Sequence, residues 1–258
     1  MQLASAPSHS SRLARFVLGL ASALCALAAG SARAADDSVV ISRVLSIGGG
    51  CVKCDLSTRK LQGARFVAGD FRGASLVGSD LRGVLFMASN FSAADFSHVD
   101  LRAARMTGAT FRGADFTDAD MVGLEAVGAD LAGATLAGAR LQSASLMGAD
   151  LRGAKARRAR FDDCNLTGAN LGAGDFVEAS FRDAQLLGAI LAGGQFAKAD
   201  FKNATLRGAF IGGADLSKAQ HLTRDQLADA CADHATRLPA GLTARQCAGR
   251  VLIFRRGP

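Results

Sequence analysis

The chain has 258 residues, 49% of them hydrophobic, with no Trp, no Tyr and a formal net charge of +7. That length allows one or two domains with a real core. The missing amphipathic aromatics leave out the side chains that usually anchor sugars or nucleic acids, and a mildly basic balance permits contact with anionic surfaces without demanding it.

Residues 1–34 read as a secretory signal. Arg12 and Arg15 precede the short apolar stretch Phe16 to Ala29, and Ala32-Arg33-Ala34 supplies small residues for cleavage before Ala35. Leu24 before Cys25 is a poor match to a lipoprotein cleavage site. Removal of the signal takes away Arg12, Arg15 and Arg33 but no acid, so +7 becomes +4. No later stretch is long and apolar enough to span a bilayer. The expected location is periplasmic or secreted. Residues 35–55 form an N-terminal cap segment, β-prone from Val39 to Ile47 and jointed at Gly48-Gly49-Gly50.

From Leu56 to Leu216 one position in five, 33 in all, holds Leu, Phe, Met or Ile, with only Ala126 and Ala156 as exceptions. A period of five belongs to neither a helix nor a flat strand; it requires a path that turns at a fixed interval, a solenoid. Two residues before nearly every centre sits a small residue (Ala64, Gly69, Ala74), and Asp or Asn often lies between (Asp70, Asp80, Asn90). A bulky and a small residue two apart share one face of an extended segment, so both point into a narrow core. Gly two residues after the centre suits the third position of a type II turn. Each pentapeptide is then a short strand and a corner, and four corners close a coil of four pentapeptides.

The consensus A-(D/N)-(L/F)-x-G, seen in Ala114-Asp115-Phe116 and Ala169-Asn170-Leu171, resembles the pentapeptide-repeat family over residues 56–220. The resemblance implies an all-β solenoid, a right-handed quadrilateral β-helix of about eight coils, on the order of 40 Å long at ~4.8 Å per coil. Residues one coil apart should therefore stack: Phe71 with Phe91 and Phe111, Phe161 with Phe181 and Phe201, Phe96 with Phe116, and Phe176 with Phe196. Leu124 at a small position is matched by Ala126 at the next centre, whereas Ala156 has no such partner. Arg59 at an inward position is tolerable only near an open end.

Residues 221–258 read as a helical C-terminal cap and tail. Thr223-Arg224-Asp225-Gln226 is a capping-box pattern, and Leu227, Ala230 and Cys231 follow at helical spacing, which predicts a helix from about Thr223 to Asp233. The turn at Leu238-Pro239-Ala240-Gly241-Leu242 is similar to tails on exported members of the family.

Five cysteines follow the signal. The odd count and an oxidising compartment suggest pairs Cys51–Cys54 and Cys231–Cys247, with Cys164 buried and reduced. The CxxC spacing at Cys51 and Cys54 lacks the βαβ context of a redox motif and any second ligand pair for zinc; two core-filling thiols are the other reading. No nucleophilic triad is supported by His98, His221 and His234. No cofactor or metal is expected, and the chain is not read as an enzyme.

Three surfaces remain. Asp80, Asp100 and Asp120 stack, with Asp95, Asp115 and Asp118 nearby, as a cation site, a phosphate mimic or a solvated face neutralised by Arg82 and Arg102. Arg152, Lys155, Arg157, Arg158 and Arg160, with Arg140 beneath, form a basic run suited to an anionic envelope ligand, partly offset by Asp175 and Glu178. Val67, Met87, Thr107, Val127, Met147, Thr167 and Leu187, each one coil apart and followed by Ala or Gly, form an apolar strip suited to self-association or a protein partner. The expected function is a non-catalytic, exported scaffold or binding rod in the cell envelope, with no nucleic-acid partner. The alternative is DNA mimicry that modulates DNA gyrase. Family members that do this are strongly acidic and cytoplasmic, unlike this basic chain with its signal.

Overall fold

The computed structural model describes residues 46, 47 and 49–247; the signal, the cleavage position before Ala35, most of the 39–47 segment and residues 248–258 lie outside them. Backbone pairing recurs at every pentapeptide, always to a parallel partner one coil on: Asp70↔Asn90, Ser75↔Asp95, Asp80↔Asp100, Leu85↔Arg105. Four such pairings per coil define four sides. The regular ladder runs through residues 51–220, which make about eight coils.

The repeat Asp100–Ala104 shows why this pentapeptide builds this coil. Asp100 N–H reaches back to Ser79 O (3.1 Å), Leu101 N–H forward to Asp120 O (2.7 Å) and Ala103 N–H to Val122 O (3.1 Å). Ala104 N–H closes the corner on Leu101 O (3.0 Å). Only Arg102 N–H points away from both neighbouring coils, and the Asp100 carboxylate accepts it (3.2 Å). Thus all five donors are satisfied, four by backbone and one by the acidic side chain, as a buried or half-buried chain requires. The Asp or Asn of the consensus is a local turn acceptor first and a surface charge second.

Corners carry a left-handed residue: Gly83 has φ 64°. Elsewhere Asp118, Arg158 and Glu178 accept the same conformation at φ 54°, 58° and 61°. An L-residue there costs energy that the ladder on both sides must outweigh. Gly69 is small for a different reason, since a Cβ on it would overlap the ring of Phe71.

Most sides of the coil are single bridges, but on one side the strands lengthen. β1 (Ser46–Ile47), β2 (Arg65–Val67) and β3 (Leu85–Met87) pair in parallel, with Phe66 opposite Phe86. The inward residues form one continuous apolar column. Phe rings stack at 4.8 Å (Phe71–Phe91), 5.5 Å (Phe91–Phe111), 4.9 Å (Phe96–Phe116), 5.0 Å (Phe161–Phe181), 5.1 Å (Phe181–Phe201) and 5.2 Å (Phe176–Phe196). The stacking expected from the sequence spacing is present in every column. Leu124 and Ala126 are both fully buried, and Ala156 is enclosed in its column. Arg59 is exposed.

Both ends differ from the sequence reading. The ladder already runs at Gly50↔Asp70 and Asp55↔Ser75, so pairing begins before residue 56. At the other end the helix is one turn, α1 (Arg224–Leu227), rather than Thr223 to Asp233. The capping box is present, with Gln226 N–H donating to Thr223 Oγ1 (3.3 Å) and Thr223 N–H to Gln226 Oε1 (2.8 Å). Gln226 Nε2 also donates to the carbonyls of Phe201 (2.7 Å) and Ala204 (2.8 Å), bolting α1 onto the last coil over buried Leu227. The helix stops because the chain rejoins the ladder: Cys231 N–H donates to Ala209 O (2.8 Å) and Ile211 N–H to Cys231 O (2.7 Å). β4 (Cys231–Ala232) then pairs with β5 (Arg245–Gln246). Parallel pairing outranks the helical spacing of Ala230 and Cys231, and residues 221–247 prolong the coil rather than forming a separate cap.

Phe91 touches the rings of Phe66, Phe71, Phe86, Phe96 and Phe111. Phe91→Ala is expected to lower unfolding free energy by about 3–5 kcal/mol in a denaturant titration. A loss below about 1 kcal/mol, within the range of ordinary surface substitutions, would contradict the column.

Candidate interaction face

The four sides are named by their centres: face one carries Phe71, Phe91 and Phe111; face two Leu76, Phe96 and Phe116; face three Leu81, Leu101 and Met121; face four Phe66, Phe86 and Met106. Because all centres point inward, the sides differ only in their outward positions.

Face three is a ladder of ions. Asp80 binds Arg82 (2.6 Å), which also approaches Asp100 (3.6 Å); Asp100 binds Arg102 (2.6 Å), which approaches Asp120 (3.8 Å); Asp120 binds Arg140 (3.0 Å). Higher up, Arg160 binds Asp162 (3.0 Å), and Asp200 is held by Arg182 (2.5 Å) and His221 (2.7 Å). The Arg82 and Arg102 guanidiniums hold the carboxyls of Asp80 and Asp100 below the usual carboxylate range, against partial burial that pushes the other way. An acidic strip open to a cation or imitating phosphates is therefore not what the stacked aspartates make. Asp95 and Asp115, on face two, accept the N–H groups of Ser97 and Thr117 (each 2.9 Å).

The basic run is spread round the rod, because each pentapeptide turns the chain to the next side. Arg152 lies on face one with Asp150 (2.5 Å), Lys155 and Arg157 on face two, Arg158 at the next corner, and Arg140 and Arg160 on face three. Asp175 takes Arg157 (2.6 Å) rather than Lys155, and Glu178 takes Lys198 (3.2 Å) rather than Arg158. Lys155 and Arg158 have no ion pair among the described residues; Arg140, Arg152, Arg157 and Arg160 are each already paired.

Face four is unlike the other three. Met87, Val127, Met147 and Leu187 are exposed by 46, 40, 41 and 46%, with Thr107 exposed and Val67 and Thr167 half-buried. Between Val67 and Leu187, among the described residues, the face holds a single ion pair, Arg105 with Glu125 at 2.8 Å. It also lacks the acidic turn acceptors. Only Asn165 plays that part, for Thr167 N–H (3.1 Å). The N–H groups of Thr107, Val127, Met147 and Leu187 have no hydrogen-bond partner among the described residues. The sequence signal for this was readable, since Arg105, Glu125, Ser145 and Gln185 leave face four with Asn165 alone where each other side has several Asp or Asn, but sequence reasoning missed it.

The remaining chemistry is quiet. The structure joins Cys51 to Cys54 and Cys231 to Cys247 as disulfides. Cys164 is buried, its thiol donating to Ala144 O (3.1 Å), and burial pushes its ionisation far up, away from nucleophilic use. A cleft beside α1 is lined by Lys202, Asn203, His221 and Gln226, but Asn203 is held by Asp183, His221 by Asp200 and Gln226 by backbone carbonyls. Among the described residues no three His, Cys, Asp or Glu groups come together to hold a metal, and no helix is long and apolar enough to cross a membrane.

A profile of pentapeptide repeats matches eight copies along the chain, over residues 51–86, 89–123, 127–163, 159–194 and 184–220. The chain belongs to the pentapeptide-repeat family. Among solved structures it is similar to HetL, a pentapeptide-repeat protein involved in heterocyst differentiation regulation from the cyanobacterium Nostoc sp. strain PCC 7120. That match has 26% identity and a TM-score of 0.60, over 72% of this chain and 86% of HetL. It also matches QnrB1, a plasmid-mediated fluoroquinolone resistance protein, at 20% identity and TM-score 0.41, over 72% of this chain and 92% of that one. A sequence comparison with curated proteins finds no significant match.

The carboxylates of face three set an expected pH response. Asp80 and Asp100 titrate lower in the folded rod than in the unfolded chain, so the folded state binds fewer protons. Their contribution is complete above the unfolded value of about 3.9 and is lost as pH falls through the lower folded values. The melting temperature is expected to be flat from about pH 7 to 5 and to fall below about pH 4, with a smaller fall in Arg82→Gln/Arg102→Gln. A melting temperature that rises on acidification would contradict the ladder.

Proposed function

We propose that this pentapeptide-repeat protein is a non-catalytic rod exported to the periplasm or beyond, and that it works by binding protein through face four. The observation that carries the reading is the contrast between faces. Face three is occupied by paired ions over most of its length, and ion pairs also stand on faces one and two, whereas face four presents exposed Met87, Val127, Met147 and Leu187 and, between Val67 and Leu187, one ion pair among the described residues. Soluble proteins seldom expose such a strip without a use.

Export is supported by the charged, apolar and small-residue segments of residues 1–34 and by the oxidising chemistry that two disulfides require. Members of this family are generally binding and structural proteins, which agrees with engaged side chains in the cleft and an inert Cys164. Against the gyrase reading stand the signal-like residues 1–34, the net positive charge and the arginine partners of Asp80, Asp100 and Asp120.

Replacing Met87, Val127 and Met147 with Lys is expected to leave the circular-dichroism spectrum and melting temperature nearly unchanged, because these side chains face outward. It is expected to abolish association with itself or with an envelope partner in sedimentation. Unchanged association would overturn the reading, and loss of folding would show that the side chains face inward. N-terminal sequencing of the exported protein is expected to begin at or near Ala35; a full-length cytoplasmic protein would overturn the location.

A further inference from the structure

We infer that the occupant of face four is a second copy of this chain, laid antiparallel, in a register set by Arg105 and Glu125. This rests on the reading of face four as the binding surface and adds its partner and geometry.

For two identical faces to meet with the rods antiparallel, the two-fold axis lies in the interface across the rods. Such an axis keeps each residue's position across the face and reverses its height along it. Placed midway between the coils of Thr107 and Val127, it sets Arg105 of one copy opposite Glu125 of the other, twice. The Arg105–Glu125 pair, 2.8 Å apart and exposed on both sides, then becomes half of a four-membered ring of alternating charge. The same axis sets Met87 against Met147 of the second copy and Val127 against Thr107. These pairings follow from heights counted in whole coils, which the ladder fixes.

A parallel dimer, with its axis along the rods, would instead put Arg105 level with a second Arg105 and Glu125 level with a second Glu125. That axis reverses position across the face, so the like charges stand on opposite sides of it and no opposite charges meet; only the antiparallel arrangement gains two opposite-charge contacts. The face is about 40 Å long at ~4.8 Å per coil and about 10 Å wide, since each pentapeptide spends part of its length on the corner. It offers roughly 400 Å² per partner, at the small end of the range, where association is weak and reversible. Face three, by contrast, offers side chains already committed to one another along the rod.

The test is charge exchange, read by sedimentation equilibrium of the purified protein. Arg105→Glu places Glu opposite Glu, and Glu125→Arg places Arg opposite Arg; each alone is expected to weaken dimerisation at least about tenfold. An equimolar mixture of the two variants is expected to regain dimers within about threefold of the parent affinity, because each heterodimer again has two opposite-charge contacts. Rescue by mixing cannot arise from the pair within one chain. The double variant Arg105→Glu/Glu125→Arg, which keeps the intrachain pair, is expected to dimerise like the parent and guards against misfolding of the singles. Single variants that dimerise as well as the parent, or a mixture that stays monomeric, would overturn the register. A parent protein monomeric at about 100 µM would overturn the second copy as occupant. Loss of an envelope partner in the triple-Lys variant would then still support the binding face.

Discussion

The parallel backbone ladder between coils is the interaction on which the rest of the molecule depends. It repeats once per coil on every side and uses three of the five N–H groups in each pentapeptide, while a fourth closes the corner within the coil. It forces the centre and the small residue inward, so the aliphatic and Phe columns follow from backbone geometry together with the hydrophobic gain of burial. It also holds Asp118, Arg158 and Glu178 in the left-handed conformation at corners where glycine would be less strained. In such a solenoid each coil leans only on its neighbours, so stability accumulates along the rod.

The fifth N–H is where the faces come to differ. Where Asp or Asn precedes the centre, the donor is closed, and several of these carboxylates also recruit arginine, from the same coil at Asp80 and Asp100 and from the preceding coil at Asp130 and Asp175. A structural requirement of the turn thereby places acids at regular heights, where arginines one coil away or two residues on can reach them. Individually such exposed pairs contribute little, about 0–1 kcal/mol each. Their larger effect is to fill a surface with mutually satisfied polar groups. Donors stay open wherever the acid is replaced, as at Ala137, Gln142 and Arg182 on faces two and three; face four combines such open donors with outward apolar Met87, Val127, Met147 and Leu187.

Much of this was legible in the chain. The Phe columns, the exposed Arg59, the compensation between Leu124 and Ala126 and the outward Met87, Val127, Met147 and Leu187 all follow from counting in pentapeptides and coils. The parts that were not legible involve competition between rules. The helical spacing of Leu227, Ala230 and Cys231 loses to ladder pairing at Cys231. The basic run from Arg152 to Arg160 reads as one patch along the chain and is distributed by two corners. The carboxylates invite a reading as charges, whereas their first task is to accept a turn N–H.

Amide hydrogen exchange, followed residue by residue at low and high protein concentration, tests the central claim most directly: that the face without turn acceptors is the one that associates. Arg82, Arg102 and Thr117 N–H, closed by carboxylates, are expected to be protected at both concentrations. Thr107, Val127 and Met147 N–H are expected to exchange rapidly when dilute and to gain protection when concentrated. Equal protection on all faces, or no change at these three amides while the protein demonstrably associates, would contradict the account.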